Sequence, residues 1–170
     1  IKNSIFRANQ GEDALNIMRT DFTLEDSKFL DIKSDAFDGD FTSGRVERCS
    51  FTGIGNDAVD TSGSRVTVRD LKVDGAQDKG LSAGEDSVMD ARRIQITNTE
   101  IAVASKDDTV LKLRDAKILN SKVALTAYRK KPEYGAARID AENLTLKGVE
   151  RPYLIEKDCL VTVDSVVVVA

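Results

Sequence analysis

Val66-Thr67-Val68-Arg69-Asp70-Leu71-Lys72-Val73 alternates apolar and polar side chains, breaks step at Asp70 and resumes at Leu71. Alternation is the period of a strand with one buried face; the 3.6-residue period of a helix is missing. The same row returns along the chain. Leu24, Val46, Val68, Ala91, Leu113, Ala141 and Val163 form one column, and Ser27, Cys49, Leu71, Ile94, Ala116, Leu144 and Val166 a second. Phe29, Phe51, Val73, Ile96, Ile118, Leu146 and Val168 form a third, and the steps are 22 or 23 residues, with one of 28.

A second segment keeps the same beat. Asp13-Ala14-Leu15, Asp35-Ala36-Phe37, Asp57-Ala58-Val59, Lys79-Gly80-Leu81, Ile101-Ala102-Val103 and Val123-Ala124-Leu125 follow one another at 22 residues, and Pro152-Tyr153-Leu154 comes after 29. Hairpins would not bring identical columns face to face. A coil does: one repeat per turn stacks each column on its own copy, one strand spacing (~4.8 Å) away, with parallel strands. The spacing predicts an all-β solenoid of six to seven coils over residues 1–170, one domain with no membrane-spanning segment. Ile1, Ser4 and Phe6 match Leu24, Ser27 and Phe29 at a shift of 23, so the chain is expected to begin in mid-coil, as the C-terminal part of a larger protein whose upstream domain is its partner.

Openings such as Gly80-Leu81-Ser82-Ala83 and rows of the form Val-x-Val-x-Asp-x-x-Val resemble the right-handed parallel β-helix superfamily, which includes pectate lyases, polygalacturonases and mannuronan epimerases. The resemblance covers residues 13–170. It implies a single-stranded right-handed parallel β-helix that binds or modifies polysaccharide outside the cell or on its surface. Parallel crossovers favour the same hand.

Composition narrows the chemistry. The chain of 170 residues has a net charge of −4, which argues against a nucleic-acid partner. It has no His, which removes Ser-His-Asp triads and His-ligated zinc, and its 2 Cys are too few for a four-thiolate site. Cys49 falls in an inward column, and Cys159 lies about five coils away, ~24 Å by strand spacing and beyond disulfide reach.

Alternation places Asn16, Asp38, Asp60, Ser82, Ala104 and Thr126 on the outer face of the first strand, beside Met18, Asp40, Ser62, Gly84, Lys106 and Tyr128. Stacked carboxylates repel, and a hard cation or a retained proton relieves them. The resemblance implies substrate on this face. Asp38, Asp40 and Asp60 would then hold Ca²⁺; alternatively Asp38 and Asp60 would act as a catalytic carboxylate pair, with Lys106 meeting a sugar carboxylate or acting as a base. A plain solvated surface is the competing account. Asp35 and Asp57 read as turn residues bonding their own backbone, with Lys79 pairing Asp57 on the surface.

The rhythm breaks at Tyr128-Arg129-Lys130-Lys131-Pro132-Glu133-Tyr134-Gly135. Insertions in solenoids map to loops, often on the binding face. Tyr128, Arg129, Lys130, Lys131 and Tyr134 combine cations with rings and suit an acidic sugar; a functionless loop explains them as well. Two functions follow: a secreted or surface polysaccharide-binding or -modifying module, or a non-catalytic rod that spaces another domain.

Overall fold

The computed structural model describes residues 1–168, and these contain strands and turns without helix. The chain is a parallel β-solenoid of about seven turns. The first leg of each turn builds a seven-stranded sheet, from Asp13–Met18 through Asp35–Asp40, Val59–Ser62, Lys79–Gly84, Ile101–Lys106 and Val123–Tyr128 to Arg151–Ile155. The other two legs share an eleven-stranded sheet, and single long strands such as Arg65–Ala76 and Val110–Leu119 supply both.

The predicted columns are the registers of the sheets. Val68 pairs with Ala91, Ala91 with Leu113 and Leu113 with Ala141. Phe29 pairs with Phe51, Phe51 with Val73 and Val73 with Ile96, and all four are fully buried or nearly so. Phe6, Phe29 and Phe51 stack as parallel rings with centroids 4.5 and 4.6 Å apart, which is the strand spacing written in side chains.

The break at Asp70 is a corner. Asp26, Arg48, Asp70, Arg93, Asp115 and Asn143 all have φ between 51 and 57°, at equivalent points of successive coils. A single left-handed residue turns the strand without interrupting the stack. Asp and Asn reach that region at least cost, which explains most of the choices; Arg48 and Arg93 pay more. At another corner hydroxyls form a ladder: Thr42 N donates to Ser64 Oγ (3.0 Å), Ser64 N to Ser87 Oγ (3.0 Å) and Ser87 N to Thr109 Oγ1 (3.2 Å). Each satisfies a buried N–H where the sheet cannot. Ala137 N continues the series onto Cys159 Sγ at 3.3 Å. Both cysteines are free, as expected.

Two details differ from the expectation. Val123 pairs with Arg151 and Leu125 with Tyr153, so the long step is 28 residues and the equivalent triplet is Arg151-Pro152-Tyr153. The last turn also fails to continue. Asp164 and Ser165 both have positive φ, 48 and 66°, and this two-residue turn reverses the chain so that Val166 and Val167 pair antiparallel with Val163 and Thr162. Val166 is therefore 67% exposed rather than inside its column, and Val168 bonds back to Val161.

Candidate functional site on the seven-stranded sheet

The outer face of the seven-stranded sheet carries the predicted columns. Asn16, Asp38, Asp60, Ser82, Ala104, Thr126 and Leu154 are in continuous register. Met18, Asp40, Ser62 and Gly84 run beside them, with Lys106 paired to Tyr128 further along. A third column holds Asp13 and Asp35, and later Lys79, Ile101 and Val123. The face is thus acidic over the early coils and becomes apolar along the axis.

Lys106 joins the two halves. Its side chain runs back two coils and places Nζ 3.3 Å from Asp60 Oδ1, with only 7% of the side chain exposed. Gly84 makes room for it: a Cβ there would stand 3.1 Å from Lys106 Cε. Ser82, Ala104 and Thr126 are buried although they belong to the outward column, and Ser82 Oγ has no hydrogen-bond partner. Asp60 Oδ1 also accepts from Thr61 N at 3.0 Å, and Asp38 Oδ2 accepts from Asn16 Nδ2 at 2.8 Å.

Asp35 and Asp57 correct the turn reading. Asp35 Oδ1 accepts from Asn56 Nδ2 (2.7 Å) and Asp57 N (2.8 Å), so it bonds the next coil and not its own backbone. Asp57 Oδ1 likewise accepts from Lys79 N (2.9 Å) and Lys79 Nζ (3.4 Å). The pair is buried, with 12% of the Lys79 and 4% of the Asp57 side chain exposed.

Removal from water, then the charges of Asp40, Asp60, Asp13 and Asp35, push the Asp38 carboxyl up to about 7. Burial pushes Asp57 to about 6, against the opposing pull of Lys79. Above the ordinary carboxylate value, and up to these raised values, the folded chain holds protons that the unfolded chain has released. Stability therefore falls as pH rises through that window. Asp38→Asn is expected to flatten the decline and to leave the variant more stable than the parent near pH ~8, by ~1–2 kcal/mol after screening of a partly exposed carboxyl. Urea midpoints measured across the window check this; a parent with constant stability there would contradict it.

The carboxylates line up without forming a cage. Among the described residues no three acidic or Cys side chains converge as a metal-ligand set. Asp38, Asp40 and Asp60 as arranged do not fit a resident calcium ion, because the Lys106 ammonium already compensates Asp60.

The insertion divides. Tyr128 stays on the sheet face, where burial raises its phenol and the charges of Lys106, Lys79, Asp78 and Asp57 reach it. The loop after it folds along the corner. Lys130 N and Lys131 N donate to Asp107 Oδ1 (2.6 and 2.8 Å), and Gly135 N donates to Asp108 Oδ2 (2.6 Å). Lys131 Nζ is paired with Glu85 Oε1 at 2.5 Å, while Arg129 and Lys130 are exposed and Tyr134 is half-buried. So Tyr128 meets the carboxylate face, and Lys130, Lys131 and Tyr134 belong to the corner beside it. Asp107, buried and bonding two backbone N–H groups, escaped the sequence reading; its signal was the Asp107-Asp108 pair, one repeat before the insertion.

Past Tyr128 the face opens into a groove of about 510 Å³. Ile101, Thr126, Leu154 and Ile155 form its floor, and Tyr128, Arg129 and Glu156 its rim. Arg129 N donates to Glu156 Oε2 at 2.5 Å. An apolar floor beside a ring suits the C–H face of a sugar, and carboxylates further along accept from hydroxyls. No family model matches this chain, and no curated protein matches it. No helix among the described residues is long and apolar enough to cross a membrane.

Proposed function

We propose that the chain is a polysaccharide-binding β-helix module, pectate-lyase-like in architecture, acting outside the cell or at its surface. The observation that carries the reading is the groove beside Tyr128, continuous with the Asp38–Asp60–Lys106 face. One sugar ring sits on Ile101 and Leu154 against Tyr128, Arg129 and Glu156 orient its substituents, and the chain of sugars runs toward the carboxylates. Binding is the simpler role for this face. Catalysis by Asp38, Asp60 and Lys106 requires Lys106 to leave Asp60 first.

A glycan array probed with the whole chain tests this, followed by titration of the best ligand. Tyr128→Ala is expected to weaken binding about tenfold, the loss of ~1.4 kcal/mol of ring contact, with an unchanged melting temperature. Undiminished binding by the variant sinks the groove as the site.

A second reading is a structural rod that spaces another domain. Its support is the regular cross-coil pairing outside this face, such as Arg48–Asp26 (2.7 Å), Arg93–Asp70 (2.5 Å) and Arg92–Asp115 (2.9 Å). A silent array favours it.

A further inference from the structure

The third leg of the coil carries a second ordered surface. Lys28, Ser50, Lys72, Gln95, Lys117 and Thr145 are in continuous register down the eleven-stranded sheet. Lysine and a neutral hydrogen-bonding side chain alternate over these six coils; the member before them, Ile5, is an exposed hydrophobe. Lys28, Lys72 and Lys117 are exposed, and among the described residues none has an acidic partner within 4.0 Å. The contrast with the neighbouring corner is sharp. There Asp26 is held by Arg48, Asp70 by Arg93 and Asp115 by Arg92, so the corner acid two residues before each lysine is already paired.

The adjacent outward column reads Arg7, Leu30, Thr52, Asp74, Thr97, Leu119 and Lys147. Its one acid, Asp74, accepts a hydrogen bond from Asn98 Nδ2 at 2.7 Å. Over both columns Arg7, Lys28, Lys72, Lys117 and Lys147 stand against Asp74, five cations to one anion, on a chain whose net charge is −4. The carboxylates of the seven-stranded sheet lie on a different leg. The coil has therefore set this excess of cations on one leg, and a shallow groove of about 350 Å³ lies between the lysine column and the corner, lined by Lys72, Gln95 and Lys117 on one side and by Asp70, Arg93 and Asp115 on the other.

We propose that this leg is a binding surface for a linear acidic polysaccharide that bears one charge on every second sugar. The spacing selects the partner. Cations on alternate coils stand two strand spacings apart, ~10 Å, the reach of two linked rings. A polymer charged on every ring would set half its anions against Ser50, Gln95 and Thr145. One charged on alternate rings meets a lysine at each anion and offers neutral hydroxyls to the residues between. Duplex nucleic acid has far denser charge, one per ~1.7 Å of axis, and does not match the repeat. The polysaccharide class is shared with the function proposed above, but the surface and its residues are separate from the Tyr128 groove.

Hyaluronan, with one carboxylate per disaccharide, is the probe; polygalacturonate, dextran and duplex DNA are the comparisons. The full chain is expected to bind hyaluronan more tightly than the other three, and raised salt should weaken the complex. Lys72→Gln with Lys117→Gln should weaken it at least tenfold, while Lys122→Gln, which removes an exposed lysine already paired with Glu100, leaves it unchanged. The substituted side chains are exposed, and a melting curve for each variant confirms the fold. Equal binding of polygalacturonate or DNA overturns the proposal in favour of a generic cationic patch. No hyaluronan binding, or binding indifferent to the double substitution, also overturns it. Sedimentation showing a dimer that disappears in the double variant would assign the face to a second copy's acidic sheet instead. Failure of the Tyr128 groove alone leaves these results standing, so the two surfaces are judged separately.

Discussion

Phe29→Ala is expected to cost ~3–5 kcal/mol, the largest effect of any single truncation in the chain. Phe29 is fully buried and has a ring on both sides, Phe6 at 4.5 Å and Phe51 at 4.6 Å. Its removal opens a cavity in the middle of a stack whose members are fixed by backbone register and cannot close in. Phe6→Ala should cost less, because Phe6 is only partly buried and stacks on one side. Arg92→Ala is the control. Its side chain is 51% exposed and its bond to Asp115 is a surface pair, so the change should stay within about 0.5 kcal/mol. Guanidinium midpoints followed by far-ultraviolet circular dichroism give all three. Similar losses for Phe29 and Arg92 would mean that the inner and outer faces are wrongly assigned.

Lys106→Met is expected to cost ~2–3 kcal/mol near pH ~8, less than a fully buried broken pair because Asp60 keeps some water. The parent pair has 7% of the Lys106 and 24% of the Asp60 side chain exposed. Methionine keeps most of the stem that lies along Gly84 and removes the charge. Asp60 then faces Asp38 across one coil with nothing between them. The deficit should shrink as pH falls through about 7, where Asp38 takes its proton. Calcium supplies the same compensation from outside, so it should raise the melting temperature of Lys106→Met. That rise should vanish when Asp38→Asn and Asp60→Asn are added. A variant as stable as the parent at high pH would show the ammonium to be a bystander.

The coil was legible because its signal is repeated. Val68, Leu71 and Val73 each have a counterpart in nearly every turn, so one ambiguous residue cannot shift the register. The same logic placed Asp38 beside Asp60, since that adjacency follows from backbone alone. Lys106 is different. Its contact with Asp60 spans 46 residues and depends on a long side chain lying along Gly84, which no backbone period encodes. The buried state of Asp57 was hidden for a related reason: its partners come from the coils on either side, while turn chemistry explains the residue locally. The ending misled because Val166 and Val168 fit the columns and also fit a hairpin. Only the pair of left-handed residues, Asp164 and Ser165, decides between them. The insertion was located correctly, but its path is set by Asp107 and Asp108, and a loop's anchors are not written in its own residues.

The uniform register also sets an order in time. Nearly every sheet contact joins residues 22 or 23 apart, so each coil closes a loop of the same length at the same entropic cost. During synthesis a coil can dock as soon as it clears the ribosome, with the preceding coil as its template and no need of anything still unmade. The exception is the coil that carries the insertion, where Val110 pairs with Arg138 and Val123 with Arg151, both at a step of 28. There the growing end has to wait for the 129–137 loop to find Asp107 and Asp108 before stacking resumes. A translational pause is best tolerated before that point and worst tolerated within it. Nascent chains truncated at successive lengths should gain protease resistance in even increments, with one delayed step at the insertion.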